Sequence, residues 1–101
     1  MKTRIEKLIN SELDRASEKF GDKNHSTHEG WAVLKEEVEE AEDEFNRVVN
    51  NTNSMWSAVK MNNLEYFNSY NKAVYDRAVK AIAELIQVSA MCKKNLRGFE
   101  K

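Results

Sequence analysis

Proline is absent from the sequence, so nothing in it carries the residue that most reliably breaks a helix. Glycine is scarce too: only Gly21, Gly30 and Gly98 offer a flexible backbone. A single cysteine, Cys92, rules out an intrachain disulfide, and no Cys/His spacing suits a zinc site. Cys92 falls on an apolar helix face, which predicts a small buried core residue rather than a nucleophile. No apolar run approaches the length of a membrane span. The opening MKTRIEKLIN is charged and amphipathic, unlike a secretory signal, so a cytoplasmic protein is expected. Strong charge of either sign is also missing. A formal net charge of −1 argues against binding to nucleic acid by bulk charge, while leaving local basic residues free to contact phosphates.

What is present is helix. Charged residues make up 33% of the chain, and apolar residues recur at three-four spacing with no competing alternation. The 101 residues suit one all-α domain over 1–101, a helical bundle. A first helix is expected over about 3–19, its mixed inner edge being Ile5, Leu8, Ile9, Glu12, Leu13 and Ala16, with Gly21 as the stop. GDKNHST, residues 21–27, reads as a polar loop, and Ser26 as the N-cap of a second helix, completed by Glu29 in a capping box. That helix is expected to run to Val49. Asn50 to Ser54 then predict a break, because asparagine and serine compete for backbone hydrogen bonds. A short third helix over 55–61, a turn at Asn62 and Asn63, and a long last helix over 64–96 complete the layout.

The densest chemistry lies in HEGWAVLKEEVEEAEDEF, His28 to Phe45. Trp31, Leu34, Val38, Ala41, Phe45 and Val48 define an apolar face, and Trp31 is expected in the core. At about 100° per residue, Glu29, Glu36, Glu37, Glu40 and Glu44 form a carboxylate stripe beside it. Most acidic faces are simply solvated. Carboxylates crowded against a core, however, call for basic side chains or a hard cation, and Mg²⁺ seeks oxygen ligands. A second element lies in AVYDRAVKAIAELIQVSAMCKK. There Val74, Ala78, Ala81, Ile82, Leu85, Ser89 and Cys92 mark a buried face, while Glu84 and Gln87, at i and i+3, project together. Two facing helices of this kind build a site inside a bundle. The aromatics Phe67 and Tyr70, with Val74, read as core or subunit interface, and His25 as loop surface.

The words Glu36-Glu37-Val38-Glu39-Glu40 and, later, Glu84-Leu85-Ile86-Gln87, with their flanks HEGWAVLKEE and AELIQVSAM, resemble the all-α nucleoside triphosphate pyrophosphohydrolases. This is the MazG-like group, and the likeness is greatest to its short phage and bacterial members. Members carry EExxE on one helix and ExxD on a later one, and the four acids hold Mg²⁺ on a triphosphate. The resemblance covers about half the chain, residues 25–47 and 73–94. It implies a nucleotide ligand, Mg²⁺ or Mn²⁺ as cofactor, and a bundle completed as a homodimer or homotetramer. It also implies the cytoplasm of a bacterium or of an infected host cell. On this reading Glu37, Glu40, Glu84 and Gln87 hold the metal, Glu36 and Glu37 are the catalytic candidates, and Arg77, Lys80 and Lys60 bind phosphate. Gln87 departs from the pattern, since an amide brings no charge to the cage and cannot serve as a base. Asp76 is the one acid placed to compensate, if it reaches the site. The departure leaves two functions open, a pyrophosphohydrolase and a nucleotide-sequestering protein without turnover. A structural helical module accounts for the composition but not for two motifs in order.

Overall fold

The computed structural model describes residues 2–100 and places three helices in them: α1 (Lys2–Phe20), α2 (Thr27–Lys60) and α3 (Leu64–Phe99). No strand occurs among the described residues, and no helix there is long and apolar enough to cross a membrane. The all-α expectation holds.

The helix starts follow local chemistry. Gly21 takes φ +90° and donates its N–H to the carbonyl of Ser17, ending α1. Ser26 Oγ accepts from the Glu29 N–H at 3.1 Å, as the N-cap reading requires. The Glu29 carboxylate reaches back one residue further than in a standard capping box, accepting from the His25 N–H at 3.2 Å. Asn63 caps α3 by accepting from the Tyr66 N–H, and Asn62 makes the tight turn at φ +53°. At the other end α3 runs through Gly98 to Phe99, slightly past the expected stop.

The break expected at Asn50 to Ser54 does not form, and with it goes the separate short helix; α2 is one helix of 34 residues. The polar side chains there do bond to backbone, but four residues back. Asn51 Nδ2 donates to the Arg47 carbonyl, Thr52 Oγ1 to that of Val48 and Ser54 Oγ to that of Asn50. These bonds double up on carbonyls already in the helical ladder, so they leave it intact.

α2 and α3 form a long antiparallel hairpin. The inward residues of α2 are Gly30, Leu34, Glu37, Ala41, Glu44, Val48, Asn51, Met55 and Ala58, and those of α3 are Phe67, Tyr70, Val74, Arg77, Ala81, Glu84, Val88, Met91 and Asn95. Both sets alternate steps of three and four, the spacing of a coiled-coil seam. At one end Asn95 Nδ2 donates to the Gly30 carbonyl at 3.3 Å, which fixes the register. Gly30 is needed for this approach, because a Cβ there would lie 3.2 Å from the Phe99 ring and closer still to Asn95.

This seam divides the apolar face expected on α2. Leu34, Ala41 and Val48 turn toward α3, whereas Trp31 and Phe45 stay 60% and 59% exposed and Val38 lies outside with them. Trp31 is therefore not a core residue. On α3, Ala81 is buried, but Ile82, Leu85 and Cys92 are exposed, so the Cys92 expectation fails as well. The error has one cause: an apolar arc wider than a single neighbouring helix can cover.

α1 docks mainly on α3. Leu13 and Ala16 meet Ala90 and Met91, with Ile9 and, from α2, Val33 and Leu34 around them; among the described residues Leu13 is the one large side chain completely withdrawn from water. A Lys93–Asn10 hydrogen bond adds a polar tie.

Candidate metal and ligand site

Two consecutive features of the seam build the site. Ala41 and Ala81 are small and buried, which lets α2 and α3 approach closely. Glu37 and Glu84, also inward, are thus brought together, and Glu40 joins them from the seam's edge. One carboxylate oxygen from each of Glu37, Glu40 and Glu84 lies within 4.8 Å of the other two. Glu37 Oε2 and Glu84 Oε2 are buried and have no hydrogen-bond partner. Burial, then the charges of Glu40, Glu84, Glu36 and Glu12, push the Glu37 carboxyl up to about 7. Glu84 is raised as well, by burial first and then by Glu40 and Glu44.

Three converging carboxylates, two of them with a buried, unpartnered oxygen, fit a small hard cation. Such an ion would offset the burial and mutual repulsion that raise Glu37 and Glu84. Glu37, Glu40 and Glu84 are the residues that would hold it.

The remaining candidates are distributed around this cluster. Glu44, one turn along α2, faces Arg77 Nη1 at 3.5 Å, so Arg77 is directed to a carboxylate at the lower edge of the cluster. Lys80 is exposed and lines a shallow surface hollow with Asp76, Arg77, Tyr75, Ala73 and Val79. Asp76 pairs with Lys72 at 2.8 Å on that surface and takes no part in the cluster. Lys60 lies twenty residues beyond Glu40, about 30 Å along α2, with its ammonium over the Trp56 ring. Within one chain Lys60 is not beside the carboxylates.

Glu36, Glu37 and Gln87 open onto a cavity of about 460 Å³ between α1 and the hairpin. Its other walls include Glu12, Arg15, Ala16, Phe20, Asn24, His25, Glu29, Val33, Met91 and Lys94. Gln87 thus shares a wall of this cavity with Glu36 and Glu37. Lys94 was not singled out in the sequence, where it is one of sixteen basic residues. The available signal was its place at i+7 from Gln87, on the same face.

Compared with protein-family models, curated proteins and solved structures, the chain matches none.

Proposed function

We propose that this protein binds a nucleoside triphosphate through a divalent cation held by Glu37, Glu40 and Glu84, and cleaves it to the monophosphate and pyrophosphate. The observation that carries this reading is the carboxylate triangle with its two buried, unpartnered oxygens. The two glutamate motifs and their resemblance to pyrophosphohydrolases supply the reaction. When bound, Mg²⁺ or Mn²⁺ neutralises phosphate charge and favours ionisation of water. Glu36, on the cavity wall beside Glu37, orients the water that attacks the α-phosphorus. The oxygen of that water ends on the monophosphate, and the α–β bridging oxygen leaves with pyrophosphate.

Glu40→Gln is expected to abolish Mg²⁺-dependent turnover, because it removes an anionic ligand at nearly constant shape. The check is a phosphate-release assay, with added pyrophosphatase, across the eight common ribo- and deoxynucleoside triphosphates. Turnover by the variant at the wild-type rate would sink the assignment. A second reading rests on Gln87, whose neutral amide occupies the position beside the triangle. On that reading the protein sequesters a nucleotide, calorimetry shows binding, and the phosphate-release assay shows no product.

We further propose that two or more copies assemble. The chain exposes 7669 Å², against about 5,900 Å² for a compact monomer of this mass. Its radius of gyration is 17.6 Å, against about 13 Å. Trp31, Val38 and Phe45 on α2, with Tyr75, Val79 and Ile82 on α3, form the exposed apolar surface that a second copy would cover. Sedimentation at micromolar concentration is expected to give a dimer or tetramer, and Phe45→Lys to shift it toward monomer. A wild-type monomer overturns the assembly and leaves the metal site within one chain.

A further inference from the structure

Lys94 is buried, only 4% exposed, and it lines the cavity between α1 and the hairpin. No salt bridge or side-chain hydrogen bond engages its ammonium among the described residues. The buried stem leaves the ammonium as the part of the side chain that meets the cavity, and no carboxylate there pairs with it. The other basic wall residue with a fixed charge, Arg15, is already paired with Glu12. The cavity's acids are Glu12, paired with Arg15, Glu36 and Glu37 toward the carboxylate cluster, and Glu29, one oxygen of which accepts from the His25 N–H; none forms a salt bridge with Lys94.

The cavity has a direction. Along α3 its floor passes from Gln87 through Met91 to Lys94, at i, i+4 and i+7. Ten residues separate Glu84 from Lys94, about 15 Å of helix. Between them lie the apolar walls Val33, Ala16 and Met91, and beyond them Phe20 and Asn24. Asn24 Nδ2 is spent on Asn95 Oδ1 at 2.9 Å, which holds the loop after α1 against α3 and closes that end.

We propose that this cavity is the ligand pocket and that Lys94 is its fixed cationic contact, donating to an oxygen of a phosphorylated, ring-bearing small molecule of the nucleotide class. The assignment rests on the preceding reading for the metal end but adds a contact that the carboxylates do not supply. The ligand's anionic oxygens supply the partner that the protein does not give Lys94, and its ring lies against Met91, Val33 and Phe20.

The test uses calorimetry of the full chain with UTP and with inorganic tripolyphosphate, each in excess Mg²⁺ and in chelator. Lys94→Met is expected to keep Mg²⁺ binding unchanged, to leave the ligand-free melting temperature equal or higher, and to weaken both probes at least tenfold. The surface variant Lys7→Met is expected to bind as the wild type does. Wild-type affinity in Lys94→Met overturns the proposal while leaving the metal reading in place. Loss of Mg²⁺ binding in the wild type would end the metal reading, and Lys94 dependence in chelator would still decide this one. No binding of either probe by the wild type under either condition overturns it. Should the variant not fold, amine acylation of the wild type read by mass spectrometry decides. Slow reaction at Lys94 made slower by UTP supports the contact, and reactivity indifferent to UTP overturns it.

Discussion

Leu13→Ala is expected to lower stability by about 3–5 kcal/mol, the range for truncating a fully buried leucine. For a domain of this size that is a fall in melting temperature of roughly 12 °C or more. The size of the effect comes from the poverty of the core. Among the described residues Leu13 is the one large side chain fully removed from water, and it is what seats α1 on Ala90 and Met91. Because α1 rests mainly on α3, with only Val33 and Leu34 of α2 at the margin, little else compensates. Hydrogen exchange should show α1 losing protection first, while the α2–α3 hairpin keeps its own. Under the proposed nucleotide reading, binding should weaken with it, since α1 forms one wall of the cavity. A loss below about 1 kcal/mol, outside the range for such truncations, would show that α1 is held by something other than this contact.

Glu37→Gln is expected to stabilise the metal-free protein above neutral pH and to erase its response to Mg²⁺. The Glu37 carboxyl is raised to about 7 by burial and by its acidic neighbours. A raised carboxyl binds its proton more tightly in the folded state than in the unfolded one. Its contribution to stability is therefore full below the ordinary carboxylate range and is lost as pH rises through about 7. Glutamine keeps the shape and removes the charge, so the variant's advantage in chelator should grow across that window and then level off. With the effect discounted for solvent screening, an advantage of about 1 kcal/mol is expected above pH 8, or ~5 °C. Saturating Mg²⁺ should raise the wild-type melting temperature and leave the variant's unchanged. Superimposable pH profiles for the two proteins in chelator would show that Glu37 carries no such strain.

The sequence disclosed the helices and their caps because those depend on neighbours in the chain. Ser26, Asn63 and Gly21 act through bonds spanning three or four residues. It also disclosed the facing of Glu37, Glu40 and Glu84, because two motifs in register on antiparallel helices leave few other arrangements. The misread features depend on what lies opposite. Asn50 to Ser54 carry a composition that breaks helices, and here the continuing seam of Val48, Met55 and Ala58 keeps α2 whole. Trp31, Phe45 and Ile82 belong to an apolar arc that periodicity detects but cannot divide between one neighbour and open surface. Lys94 was invisible for the same reason: its significance is the lack of an anion within reach, a property of three dimensions.

The alanines of the seam touch no ligand, yet they act as a caliper. Buried between the two helices, Ala41 and Ala81 let Glu84 of α3 come within reach of Glu37 and Glu40, which share α2. Oxygen ligands sit at about 2.0–2.1 Å from Mg²⁺ and about 2.3–2.6 Å from Ca²⁺. A wider helix separation at these alanines would therefore favour the larger ion, to the extent that the three glutamate side chains cannot flex to make up the gap. Under the proposed cation reading, the choice of metal is written less in the acids that would hold it than in the methyl groups that let those acids draw near.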